Sequence, residues 1–272
     1  MSYQNTLESI LVVFQNPVDG RQTAYDDWYT NVHIRDAMRL DGAIATQRFT
    51  ASDDQLVIDG IPVTPGYWAH TLYEWESAAK SVAGHRDRAA TQHMEITRDA
   101  DFAGLRDYFY RPHYLSNGWN RATGFRLGED ILTAMIQPPT GSEPEFLEWF
   151  IREHVPATLA LPGFCSASIF TLHEEQSLPY PAEYPMVAVY GLSSRLDALQ
   201  AWSNEHANKA ETHLVKNTEK VEATCWQPRM TRLRAEEVLL PYPRDAAEEQ
   251  RARQQYRDRY YTREEMIKIL SS

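Results

Sequence analysis

Apolar and polar positions alternate along this chain in short blocks, and the blocks come twice. Residues 10–15 read ILVVFQ, and a matching apolar run occupies residues 131–136. Both are bounded by turn-forming residues (Asn16, Pro17, Asp19 and Gly20; Pro138, Pro139, Gly141 and Ser142), so both read as strands. Tyr25, Trp28, Tyr29, Val32, Met38 and Leu40 then recur mostly at spacings of three and four, the stripe of an amphipathic helix. Gly42 and Gly163 follow where a helix C-cap is expected. Strands are predicted at 43–50 and 164–171, and again at 67–74 and 186–191. A second helix is predicted at 77–97 and 194–216, each copy opened by a serine as N-cap, and a last strand at 102–109 and 221–226.

The two copies align residue by residue. Trp28 and Trp149, His33 and His154, Gly42 and Gly163, and Phe49 and Phe170 all lie 121 residues apart. Tyr67 and Tyr73 match Tyr184 and Tyr190 at an offset of 117, and Ala90 and His93 match Ala210 and His213 at 120. Each copy reads β-α-β-β-α-β, the split βαβ, ferredoxin-like unit, whose sheet has one bare face. Two such units bury their bare faces together, here within one polypeptide. The expected fold is α+β: ferredoxin-like repeats at residues 1–112 and 129–230, a linker at 113–128, and a charged helical tail at 231–272. In the tail, Asp245 is the expected cap of a helix at 246–261. Thr262 and Glu265 form a capping box opening a short apolar helix. The tail either packs back on the barrel or serves as a homodimer contact.

Composition narrows the function. A formal net charge of -11 argues against nucleic acid or an anionic membrane as the partner. With 43% hydrophobic and 24% charged residues the chain has the makeup of an ordinary globular protein. No apolar run reaches membrane-spanning length and no signal-like segment opens the chain. The two cysteines, Cys165 and Cys225, suit a reducing cytoplasmic setting and show no metal spacing. There is no glycine-rich phosphate loop and no G-x-S-x-G elbow.

The run WYTNVH at 28–33 and WFIREH at 149–154, followed by an apolar helix, a [PD]-G step and a strand ending in Phe-Thr, resembles the EthD-like branch of the dimeric α+β barrel superfamily. The resemblance covers both copies and not the tail. It implies a small apolar pocket between helices and sheet, holding one or two histidines or tyrosines. The second copy keeps the pattern better; the first has Val32, Arg35 and Asp41 where the second has Glu153, Pro156 and Pro162. Relatives of this kind include cofactor-free monooxygenases, cyclases, isomerases, a lyase, and haem proteins of the chlorite dismutase type.

His33 leads the candidates, because histidine titrates near working pH. Tyr29, four residues before it, shares its helical face, whereas Trp28, five before, is displaced from it. The copies also differ informatively. Tyr29, Arg35, Arg48 and His70 meet Phe150, Pro156, Ile169 and Val187, and His85 is a further polar group of the first copy. The pocket is therefore expected in the first copy. Its catalytic residues would be His33, Tyr29 and His70, with Trp28, Arg35, Arg48, Tyr67, Tyr73, His85 and His154 as substrate-binding candidates. His93 and His213 are read as structural, late in the second helix. The expected activity is cofactor-independent acid/base chemistry (a lyase, dehydratase, cyclase or isomerase step) on a small apolar cyclic or aromatic molecule. An oxygenase or haem enzyme of the same fold, and a non-catalytic carrier of hydrophobic or stress-related ligands, stand as rivals. A haem would need one axial histidine, which any of these supplies.

Overall fold

The computed structural model describes residues 7–58, 60–125, 130–178, 183–207 and 214–270. Its first half runs β1 (Ser9–Gln15), α1 (Gln22–Trp28), a π-helical segment (Tyr29–His33), α2 (Ile34–Met38) and β2 (Ala43–Ala51). A small hairpin of β3 (Val57–Ile58) and β4 (Ile61–Pro62) precedes β5 (Ala69–Trp75), α3 (Ala78–Arg88) and β6 (Arg106–Leu115). The second half runs β7 (Asp130–Gln137), α4 (Glu143–Trp149), a second π-helical segment (Phe150–His154) and α5 (Val155–Leu159). It continues with β8 (Phe164–Leu172), β9 (Met186–Leu192), α6 (Arg195–Ala207) and β10 (Lys220–Pro228).

Eight antiparallel strands close into a barrel in the order β10-β7-β9-β8-β6-β1-β5-β2, with β2 returning to β10. The two seams between halves differ. β6 pairs with β8 from Tyr110↔Leu172 to Leu115↔Ser168, whereas β2 meets β10 over only Ala51↔Trp226, Thr50↔Gln227 and Phe49↔Pro228. Where β10 has run out, β11 (Leu233–Arg234) takes over the same edge of β2 at Thr46 and Ala45. Beyond the other end, the Gln55 amide accepts from Cys225 N–H at 2.9 Å and donates to its carbonyl at 2.8 Å, standing in for a strand residue.

Alternation along each strand sorts side chains between barrel interior and helix-covered exterior. On β1, Ile10, Val12 and Phe14 point inward to a core shared by both halves, with Phe49, Leu72, Phe170, Val187 and Trp226. Leu11 and Val13 point outward beneath the helices of the first half. Among the described residues no helix is long and apolar enough to cross a membrane.

The tail packs back on the first half. It comprises α7 (Ala235–Leu239), α8 (Pro243–Gln255) and α9 (Arg263–Leu270). Arg253 binds Asp36, Glu95 and Glu249, and Glu249 also takes a bidentate pair from Arg39 at 2.7 Å. α8 starts earlier than its charge pattern suggests: Pro243 occupies its first turn and Tyr242, not Asp245, is the cap. The second helix of the first half is shorter than expected, because Ala90 adopts a positive φ of 56° just after it. His93 therefore lies beyond the helix in an exposed turn, and His213 falls outside the described residues.

Candidate functional site

A cavity of about 440 Å³ lies in the first half, between the barrel wall and its helices. Its floor is Leu11 and Val13 of β1, Tyr73 of β5 and Asp107 of β6. Tyr29 and His33 of the π-helical segment, Val82 and His85 of α3, and Met94, Ile96 and Phe102 of the following loop form the sides. Met266 and Ile267 of α9 and Leu178 of the second half complete it.

The π-helical segment decides how its aromatic residues meet. A wider turn with i→i+5 bonding brings residues five apart onto one face, where an α-helix displaces them. Trp28 and His33 therefore stack, with ring centroids 4.8 Å apart and planes 27° from parallel, instead of diverging as α-helical spacing implies. Tyr29 meets the same imidazole edge-on at 5.0 Å. Trp28 is anchored by its indole N–H, which donates to the Glu95 carbonyl at 3.0 Å.

Burial sets the charge states. Desolvation, helped slightly by His85 and Arg48, pushes His33 down to about 3, so its imidazole is neutral at any ordinary pH. Its Nδ1 is buried without a hydrogen-bond partner among the described residues, which leaves Nε2 as the nitrogen toward the cavity. His85 is also lowered by burial; its Nδ1–H donates to the Ser81 carbonyl at 2.9 Å, so Nε2 keeps the lone pair. Tyr73 donates to the Tyr29 hydroxyl at 3.2 Å, and desolvation raises both phenols. Asp107 moves the other way from the histidines. Desolvation lifts its carboxyl from 3.8 to about 7. It is half-buried and lines the cavity.

Several candidates lie elsewhere. His70 points into the barrel, stacked on Phe14 at 4.4 Å and bonded through Nδ1 to the Val13 carbonyl at 3.1 Å. Strand parity puts it on the opposite face of β5 from Tyr73, so it does not line this cavity. Tyr67 lines a separate cavity of about 540 Å³ at the barrel mouth, with the Arg106 guanidinium 5.3 Å from its ring. Arg48 is fully buried behind the site: it binds Asp26 and Thr30 and lies 4.6 Å over the Tyr29 ring, supporting that tyrosine without reaching the cavity. Arg35 is buried on α2, away from the lining.

His154 sits at the position matching His33, yet its surroundings are packed. Phe150, Tyr190 and Trp202 lie 4.6, 6.5 and 6.0 Å from its ring, and Thr158 meets its Nε2 at 3.3 Å. Strand register identifies the differences. Val13 pairs with Asp107 as Ala134 pairs with Ala223, so Ala223 holds in the second half the position that Asp107 holds in the first. Counting from the serines that precede α3 and α6, His85 corresponds to Trp202. Counting from Gly42 and Gly163, Ala43 corresponds to Phe164, which packs 5.7 Å from Trp202. Two large aromatic rings thus fill in the second half what stays open in the first.

Asp107 and the α9 residues are absent from the sequence-derived candidates. The signal for Asp107 was present: in Leu105-Arg106-Asp107-Tyr108-Phe109 an acid falls on the same strand face as Leu105 and Phe109. The tail residues carry no such signal, since only folding brings Arg263 back across 176 residues of chain to Asp87 at the end of α3.

A haem, one of the rival readings of the sequence, would require an axial nitrogen and cations for two propionates. His85 has the tautomer a ligating histidine needs. Arg263, however, spends Nη1 and Nη2 on the carbonyls of Arg86, Asp87 and Ala89. That leaves Arg86 as the cation free for an anion among the described lining residues, and the Asp107 carboxylate shares the same space. The residues therefore fit the group incompletely.

No family model and no curated protein matches the chain. Solved structures do. An anthrone oxidase-like protein superposes with a TM-score of 0.58 at 12% identity, covering 86% of this chain and 96% of its own. The fold is the dimeric α+β barrel. A candidate monooxygenase from Fusobacterium nucleatum (TM-score 0.50, 11% identity) covers 84% of this chain and 94% of its own. A mutant chlorite dismutase from Candidatus Nitrospira defluvii, solved with cyanide, reaches 0.51 at 7% identity and covers 92% and 96%. At such identities the likeness is one of fold, and the chemistry has to be argued from the cavity.

Proposed function

We propose that this protein is an enzyme that takes a proton from a small, apolar, weakly acidic molecule, such as a phenol or an activated methylene compound, with Asp107 as the base. The observation that carries the reading is a carboxyl held at about 7 inside an apolar cavity. A base works best when its own value lies near the working pH, and His33 at about 3 is too weak a base for the part. As the proton leaves, negative charge appears on the ligand. The linked Tyr29 and Tyr73 hydroxyls and the neutral His33 ring are the donors nearest to hold it.

Base-initiated lyase, dehydratase, cyclase and isomerase reactions start with such a step. Cofactor-free oxygenation does too, the carbanion then giving electrons to dioxygen. The oxidase-like and monooxygenase-like names among the fold neighbours favour that second continuation. The test is isotope exchange. Incubated in D2O with a panel of phenols and ketones, the wild-type protein is expected to catalyse C–H exchange, and Asp107→Asn to lose it. An oxygen electrode separates the two continuations. Exchange unaffected by Asp107→Asn would overturn the assignment, and no exchange with any compound would return the protein to the carrier reading.

We also infer that the chain is a tandem pair of EthD-like, ferredoxin-like units. Both halves carry a π-helical segment between two short helices, and these segments lie 121 residues apart, the spacing of the Trp and His pairs.

A further inference from the structure

We infer that the C-terminal helix α9 is a fixed wall of this cavity and sets the length of the apolar molecule it admits, a reading that builds on the cavity being the functional site. Met266 is buried in the first-half core and lines the cavity; Ile267 lines it too but is 56% exposed, so α9 stands where cavity meets solvent. Tyr29 and Leu11 also line the cavity and are each 2% exposed, so they belong to its closed part. A ligand with its ionisable group at Asp107 and Tyr29 therefore extends its apolar part toward Met266.

Three contacts pin the wall. The backbone of the segment before α9 joins the loop after α3: Arg98 N–H donates to the Arg259 carbonyl and Tyr261 N–H to the Ile96 carbonyl, both at 2.8 Å. Arg98 binds Glu265 at 2.6 Å, while Glu265 also closes the capping box with Thr262. Arg263 then donates to the carbonyls of Arg86, Asp87 and Ala89, groups at the end of α3 that have no helical partner and favour a cation. A wall anchored through its first turn selects by size, and the second half, where no counterpart of α9 is found among the described residues, has its space filled by Phe164 and Trp202.

The experiment is a calorimetric titration of the full-length protein with 4-alkylphenols of increasing chain length. In the wild type, Kd should fall about fourfold per added methylene until a cut-off length is reached. Met266→Ala should move the cut-off to longer chains, and Met266→Trp to shorter ones. If Met266→Trp fails to fold, Met266→Ala and Ile267→Ala decide the matter alone. His85→Trp, which fills the inner cavity, should abolish binding. An identical cut-off in wild type and variants, unchanged binding to His85→Trp, or no binding of the series by the wild type would each overturn the inference. Because the readout is affinity, it separates from the chemistry: a shifted cut-off without proton exchange sinks the proposed reaction and leaves the wall, and exchange with an unshifted cut-off does the reverse.

Discussion

At the scale of single residues, Asp107 links activity and stability. Its folded-state value of about 7 lies above the 3.8 of an unperturbed carboxyl, so the folded protein holds this proton more tightly than the unfolded chain. Ionised Asp107 therefore weakens the fold: the penalty grows as pH rises from about 4 to about 7 and is complete above that. Asp107→Asn should raise Tm, by more at pH 8 than at pH 5, while lowering turnover on the order of 100-fold or more. Differential scanning calorimetry at both pH values checks the first claim, and an equal Tm gain at both would remove the pKa argument. Activity should also rise along a single limb near pH 7. His33, held at about 3, adds no second limb near its usual 6.5, so a limb there that vanishes in His33→Asn would contradict the burial argument.

At the scale of elements, the same glycine does different work in the two halves. Gly42 and Gly163 end equivalent helices with φ of 82° and 85°. Adding a Cβ costs about 1 to 2 kcal/mol at either for the left-handed backbone alone. At Gly42 the new methyl would meet side chains alone, the flexible Lys80 at 3.4 Å and the Glu76 Cβ at 3.8 Å. At Gly163 it would lie 2.4 Å from backbone atoms of Ser194 and Ala198, forcing α6 off the sheet. Gly163→Ala should therefore lower the urea midpoint clearly more than Gly42→Ala; equal losses would mean that α6 shifts freely. These glycines, and the strands around them, are legible in the sequence because alternation and turn chemistry are local. The ends of α3 and β6 are not: expected at 102–109, β6 runs from Arg106 to Leu115 because β8 supplies it with a partner. The π-helical segments are invisible to a period of 3.6, which is why the stacking of Trp28 on His33 had to be seen. Asp107 is missed for a related reason: one acid in a strand is common, and only the cavity gives it meaning.

At the scale of the whole molecule, the halves share their innermost core, so they should not melt separately. Phe14, Phe49 and Leu72 pack in the barrel with Ile131, Phe170 and Trp226, and both seams run across the halves. Calorimetric and van't Hoff enthalpies should agree in a single transition. Two resolved transitions would show that the three-pair seam between β2 and β10 opens on its own. The barrel is legible from sequence because the strand-like runs of the first half come again in the second, and sheets with an apolar face each have one compact way to bury them. The docking of α8 and α9 on the first half is not, since it depends on charges and apolar residues that meet only after folding.

One chain supplying both halves of the barrel has a consequence for how such a site changes. In a symmetric dimer every substitution is made twice, so a phenylalanine or tryptophan that fills one cavity fills its twin as well, and stability is gained at the cost of every site. Here Phe164 and Trp202 stand in one half only, opposite Ala43 and His85 in the alignment of the halves. The filled half is free to improve as scaffold while Ala43, His85 and Asp107 keep the other half open. For engineering, stabilising substitutions belong in residues 130–228, and new specificity belongs in the first half and at Met266.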